Sequence, residues 1–201
     1  MKILLTFLLS FSLAFANHSE GSIKTMYLKS YDYEKMQQYQ EAIKVLTPLY
    51  NQYSNGYTLN LRFGWLFYLD KKYSDALKYY KKASLINSYA INPKLGLIRL
   101  YLATASYGQA EIIAQEVLKI DYYNYSANLL LAQTLIAQGK FDIAQKVVNK
   151  MLLLYPTDIA FLEQLAIIYK STKNVYLKQL YEDILILDPN NIYVNSMKLK
   201  K

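Results

Sequence analysis

The chain carries one histidine, no cysteine and one tryptophan, beside 22 tyrosines, and that inventory decides which chemistry is open to it. His18 has no second histidine to work with and lies near the N-terminus, where chains are usually poorly ordered. It offers no fixed general base, and without cysteine there is no zinc-ligand set. Thiol nucleophiles, disulfides and a lipid-bearing cysteine are excluded by the same count. No glycine-rich phosphate loop and no G-x-S-x-G elbow occurs. Glu41, Asp75, Glu111 and Asp142 recur at equivalent places, but there they open helices, where a carboxylate complements the helix dipole. The chain is therefore expected to be no enzyme and to hold no metal or cofactor. What remains is recognition chemistry: Trp65, Arg62, Arg99 and many tyrosines, the residue types that dominate binding hot spots. Tyrosine pairs a large apolar ring with a polar tip and suits half-buried grooves, although many of these rings will simply fill core positions.

The charge balance, 23 Lys and Arg against 15 Asp and Glu, gives +8. The lysines are scattered as pairs (Lys71-Lys72, Lys81-Lys82) and a tail (Lys198, Lys200, Lys201), and arginine occurs only at 62 and 99. A nucleic-acid binder gathers basic residues into a stripe, so no nucleic-acid partner is expected. The excess still favours anionic membrane surfaces or acidic partners. Residues 1–16 read as an export signal: Lys2, an apolar run from Ile3 to Ala14, then Ala14-Phe15-Ala16 as the cleavage site. The run is too short to span a bilayer, which takes about 20 residues. Cleavage after Ala16 would leave a mature chain from Asn17 with no membrane span; an uncleaved anchor is the alternative. Asn17-His18-Ser19 and Asn124-Tyr125-Ser126 fit the glycosylation pattern, a weak signal.

The elements that position these residues follow from one spacing. Tyr39-Gln40-Glu41-Ala42, Tyr73-Ser74-Asp75-Ala76, Tyr107-Gly108-Gln109-Ala110 and Phe141-Asp142-Ile143-Ala144 repeat one phrase, and each closes on an alanine at the same interval. A fixed period of about 34 residues means stacked supersecondary units. Each unit reads as two helices: Leu59 to Leu69 and Ser74 to Ile86 in the second, Ala127 to Ala137 and Asp142 to Leu154 in the fourth. Gly139 is placed to take the positive φ of a helix C-terminus. Pro93 suits a first helical turn, and Pro156 closes the fourth unit.

These residues resemble the tetratricopeptide-repeat family over about Ile23 to Asn190. The best matches are Phe63-Gly64, Phe67, Tyr73, Ala76, Tyr80 and Ala83 in the second unit. In the fourth they are Leu131-Ala132, Leu135, Phe141, Ala144 and Pro156. The resemblance implies an all-α fold, a right-handed superhelical solenoid of about five helix-turn-helix repeats with a C-terminal capping helix. The expected layout is a flexible N-terminus at 17–22, repeats at 23–56, 57–90, 91–124, 125–158 and 159–189, and a cap or tail at 190–201. In the cap Ile192, Val194 and Met197 would form the dry side. The fifth repeat departs from the pattern: its second half reads one residue short, with Leu177, Tyr181 and Ile184 recovering the spacing.

Family members line a concave groove with their first helices and bind ligands there. The matching residues here are Tyr27, Tyr31, Leu61, Trp65, Tyr68, Leu95, Arg99, Leu102, Leu129, Gln133 and Ile136, continuing to Glu163, Ile167 and Lys170. Where some members hold a peptide C-terminal carboxylate with Lys and Asn, this chain has Leu61 and Trp65, so that mode is not expected. An aromatic and aliphatic groove suits an amphipathic helix or an extended apolar segment. The reading is an exported, periplasmic scaffold or adaptor for a protein or peptide partner. The alternative is a structural subunit, self-associating or docked on a larger envelope assembly; secretion is the alternative destination.

In the resemblance Gly64 and Ala132 let the paired helices approach, with Ala76 and Ala144 as the small partners opposite. Ser30 takes the small place in the first repeat. The third has Ile98 there, with Gly96 nearby, and is expected to be the looser joint, so that Ile98→Ala should cost less than a typical buried Ile→Ala, about 2–5 kcal/mol. Ala76→Leu and Ala144→Leu should each destabilise by about 1–3 kcal/mol through overpacking, read by urea denaturation of the mature chain.

Overall fold

A computed structural model of the chain describes residues 21–198. The export signal at 1–16, Asn17-His18-Ser19, and Lys200 and Lys201 lie outside the described residues. Eleven helices are described and no strand is among these residues: α1 (21–35), α2 (Tyr39–Gln52), α3 (Tyr57–Leu69), α4 (Tyr73–Ile86), α5 (Ile91–Ala103), α6 (Tyr107–Ile120), α7 (Tyr125–Ala137), α8 (Phe141–Leu152), α9 (Ile159–Ser171), α10 (Leu177–Leu187) and α11 (Ile192–Lys198). The helices α2, α4, α6 and α8 start one period apart, each on the aromatic of the repeated phrase. Gly21 and Ser22, expected in a flexible terminus, are helical, and Thr25 Oγ1 donates to the Gly21 carbonyl at 2.7 Å. The chain divides after Pro93, in the first turn of α5, into two compact units.

The turn inside every repeat is the same backbone device. Gln37, Lys71, Ala105, Gly139 and Lys173 hold equivalent places in the five repeats, and all have φ between 54° and 72°. At each, the residue after the left-handed one donates back across the turn, as Lys72 N does to Phe67 O at 2.9 Å and Lys140 N to Leu135 O at 2.9 Å. This wraps the orphan carbonyls of the first helix. Only one of the five is glycine, the residue for which that conformation is free. The other end of a first helix is held by side chains: Asn124 accepts from Ala127 N, Asp158 from Phe161 N and Asn191 from Val194 N, each an N-cap. Asn60 and Asn128, both buried and at equivalent places two repeats apart, each donate to two carbonyls of the preceding turn.

In the fourth repeat the two helices are buried to different degrees. In α7 Ala127, Asn128, Leu130, Leu131, Ala132, Thr134 and Leu135 are buried, whereas α8 buries only Ala144, Val148 and Met151. The first is apolar nearly all round because it is covered on more than one side; the second is amphipathic, with one covered stripe.

In the first unit the partner of Gly64 is Tyr80 of α4. A Cβ at Gly64 would come within 2.6 Å of the Tyr80 ring, which is 2% exposed. Tyr80, and not the expected Ala76, is therefore what the missing side chain accommodates. Around this contact tyrosines fill core positions: the Phe63 and Phe67 rings lie 5.1 and 5.2 Å from Tyr79, and Tyr50 meets Phe63 edge-on at 5.2 Å.

The same two places recur in every repeat: Ser30 with Leu46, Gly64 with Tyr80, Ile98 with Ala114, Ala132 with Val148 and Ala166 with Ile184. All ten are buried. Where the first helix has its bulkiest residue, Ile98, the second has alanine; where the first has glycine, the second has its largest residue. Ile98 and Ala114 are both 0% exposed, so Ile98 is fully buried where a looser joint was expected, and the large residue of the third repeat stands on the first helix.

The fifth repeat is also corrected. Its internal turn covers 172–176, against 138–140 in the fourth, so it is longer by two residues and not shorter by one. Buried Leu180 and Ile184 accordingly fall two places beyond one full period from Ala144 and Val148, while Leu177 is only half-buried. At the end of the second unit α11 buries Val194 and half-buries Met197, but Ile192 is 85% exposed and does not belong to the dry side. Elsewhere in this unit Glu111 accepts from Gln138 Nε2 (2.9 Å) and Lys140 Nζ (2.8 Å). The Lys140 bond holds its carboxyl below the usual carboxylate range, against the opposing effect of partial burial.

Two outcomes test the exchange of volume. Gly64→Ala should destabilise by about 1–3 kcal/mol, and adding Tyr80→Val, which copies the Ala132 and Val148 pair, should recover part of the loss. Ile98→Ala should cost about 2–5 kcal/mol, as a fully buried truncation does. Urea denaturation of the single and double variants measures both.

Candidate functional site

Helical spacing on two first helices builds the site. On α1, Tyr27 and Tyr31 stand four apart, as do Ser30 and Glu34, so each pair shares a face. On α3, Leu61, Arg62 and Trp65 fall within one turn. Where the two faces meet, Arg62 is 7% exposed, a burial that costs heavily unless the guanidinium is fully partnered. It is partnered on three sides. Its Nη1 pairs with Glu34 Oε2, its Nη2 and Nε donate to Ser30 Oγ at 3.0 and 3.3 Å, and its Cζ lies 4.0 Å from the Tyr31 ring centroid.

Glu34 completes a second bond. Its Oε1 accepts from Trp65 Nε1 at 2.7 Å, so one carboxylate holds both the arginine and the indole. Behind the indole, Tyr68 stacks at 5.7 Å with 25° between the planes. In front is an open pocket of about 710 Å³, lined by Tyr27, Tyr31, Glu34, Lys35, Tyr39, Thr58, Leu61, Arg62, Trp65 and Leu69. The rings and two leucines make its walls, and Arg62 with Glu34 forms its floor, tied to Ser30 behind the lining. Such a concavity, mainly apolar with a few fixed polar groups, is the usual form of a binding site. Among the described residues no cluster of histidine, cysteine or carboxylates suited to a metal ion occurs.

Of the residues expected in the groove, Tyr27, Tyr31, Leu61 and Trp65 line this one pocket and Tyr68 backs it. The remainder lie in the second unit. Leu95 is buried, and Arg99, Leu102, Leu129, Gln133 and Ile136 are half-buried on α5 and α7. On α9 Glu163 is engaged by Asn191 Nδ2 at 2.7 Å, Ile167 is half-buried, and Lys170 is exposed with its Nζ 2.9 Å from Met197 Sδ. Sequence reasoning missed Glu34, Lys35, Tyr39, Thr58 and Leu69. Glu34 had a signal: a charged Arg62 inside an almost wholly apolar helix demands an acidic partner on the helix it packs against.

No family model matches the sequence, and no curated protein matches it. Solved structures do. A tetratricopeptide repeat protein from Parabacteroides merdae aligns with a TM-score of 0.72 at 18% identity, over 80% of this chain and 63% of that one. This chain thus spans less than two thirds of that longer protein. TTC0263, a thermophilic tetratricopeptide-repeat protein of Thermus thermophilus, gives 0.71 at 12% identity over 88% and 97%. YrrB, described as a tetratricopeptide-repeat protein with an unusual peptide-binding site, gives 0.67 at 13% over 94% and 97%. At these identities the likeness is one of fold, and the fold is that of the tetratricopeptide repeat. Among the described residues no helix is long and apolar enough to cross a membrane.

Arg62→Met keeps the apolar stem and removes the charge. It leaves the Glu34 carboxylate and the Ser30 hydroxyl short of a donor at a buried contact, a loss of about 1–3 kcal/mol. Urea denaturation followed at the single tryptophan, Trp65, should show it.

Proposed function

We propose that this tetratricopeptide-repeat chain is an exported scaffold or adaptor that binds a protein or peptide partner through the aromatic pocket of its first unit. The observation that carries the reading is the pocket itself: Trp65 held by Glu34, flanked by tyrosines and open to solvent. Trp, Tyr and Arg side chains fixed in advance lose little entropy on binding, which is how a small site gains affinity. The description of YrrB as having a peptide-binding site supports this use of the fold. Among the described residues no candidate catalytic set accompanies the pocket, which favours binding over turnover. Export rests on the sequence signal at 1–16, and the proposed destination is the periplasm.

A second reading, self-association or docking on a larger assembly, draws on a different observation. In the second unit Leu153, Ile186 and Ile192 near the turns between repeats are 85%, 78% and 85% exposed. Where such side chains gather into one patch, they mark an interaction surface.

Affinity capture of tagged mature chain from envelope extracts, with and without Trp65→Ala, tests the first reading. The variant should lose the partners that the wild type retains; equal capture by both would remove the pocket from the interface. Light scattering from micromolar to millimolar concentration tests the second, which a constant monomer mass rejects. N-terminal sequencing of the periplasmic fraction should begin at Asn17.

A further inference from the structure

The pocket floor holds one guanidinium and one carboxylate, and each is already committed to the other. Glu34 uses Oε2 for Arg62 and Oε1 for Trp65, while Arg62 directs its Nη1, Nη2 and Nε to Glu34 and Ser30. A peptide carboxylate entering the pocket would have to compete with Glu34 for a guanidinium that is 7% exposed. A peptide ammonium would find the carboxylate already occupied by two donors. The other charge of the lining, Lys35, is 79% exposed and lies 3.7 Å from Asp32, and one side each of Trp65 and Tyr31 is taken by Tyr68 and Arg62. What these two rings still present to the pocket, with Leu61 and Leu69, offers stacking and apolar contact.

We infer that Glu34 is the specificity-determining residue of this pocket: by neutralising Arg62 and fixing Trp65 it makes the site select an uncharged aromatic or aliphatic side chain of a peptide and reject acidic ones. The inference rests on the reading of the pocket as a peptide site and adds its chemistry. Glu34 occupies the place on Arg62 that a partner carboxylate would take. Removing it exposes an unpaired guanidinium in a half-enclosed pocket, and the selectivity should then invert.

Trp65 is the only tryptophan of the chain, so its fluorescence reports this site alone. The probes are acetyl-Gly-Phe-Gly-amide, acetyl-Gly-Leu-Gly-amide, acetyl-Gly-Glu-Gly-amide and acetyl-Gly-Lys-Gly-amide, titrated into the mature wild-type chain and its Glu34→Ala and Glu34→Gln variants. In the wild type the Phe and Leu peptides should perturb Trp65 and bind about tenfold more tightly than the Glu and Lys peptides. In both variants the Glu peptide should gain about tenfold, the range of one hydrogen bond to a charged group. Glu34→Gln keeps an acceptor for the indole, so a gain there separates the freed charge from a displaced Trp65. Circular dichroism confirms that each variant is folded. If a variant does not fold, Arg62→Met in the wild-type background replaces it, and the Phe over Glu preference should persist there. A wild type that prefers the Glu or Lys peptide overturns the inference while leaving the pocket a peptide site. Absence of binding by all four peptides overturns it too, and partner capture that still depends on Trp65 would leave the broader reading standing.

Discussion

One constraint shapes the second repeat and recurs in register in the others: where Gly64 meets Tyr80 there is room for one bulky side chain and not two. The second repeat shows it at its limit, with a Tyr80 ring occupying the space that any Cβ on Gly64 would need. The third places its large residue on the other helix, with buried Ile98 at the equivalent place on the first and buried Ala114 on the second. Interiors are close-packed, so a change of even one methylene is felt by its neighbour. In each repeat a large residue at one of these two places accompanies a small one at the other, and either helix can carry it.

The pocket inherits that constraint. In the first repeat the small place is taken by Ser30, opposite the register position of Leu46, and serine is small but not apolar. Its hydroxyl supplies the acceptor that lets Arg62 of the following repeat be buried, and the arginine then orients Glu34, which orients Trp65. A residue chosen for size thus anchors a polar chain running from one repeat into the next. An alanine in its place would satisfy the crossing and leave two N–H groups of the guanidinium without an acceptor.

The period, the alanines and the left-handed Gly139 were legible in the sequence because they are local: each is set by neighbours three or four positions away. The four other left-handed turn residues were not, because Gln37, Lys71, Ala105 and Lys173 carry no mark of the conformation that the repeat imposes on them. Ile98 looks like a defect only while one helix is judged at a time; the compensation lies on the second helix of the same repeat, at Ala114. The fifth repeat misleads for a similar reason, since a turn can lengthen by two residues while the buried stripe of its helix stays intact. In the pocket Trp65 and the tyrosines declared themselves by type. Glu34 did not, because its importance is a matter of distance to Arg62 across 28 residues of chain.

The non-glycine turns have a consequence for how this chain can change. A residue with a Cβ held at positive φ carries roughly 1–2 kcal/mol of backbone strain, and it sits in an exposed turn between the helices of one repeat; those at Gln37 and Lys71 adjoin the pocket-lining Lys35, Tyr39 and Leu69, whereas those at Ala105 and Lys173 do not. Four such turns amount to a distributed reserve. Each can be released by a glycine, less the unfolded-state entropy glycine adds, without any neighbour having to move. Stability in this chain can therefore be tuned repeat by repeat, and at Ala105 and Lys173 without touching the pocket.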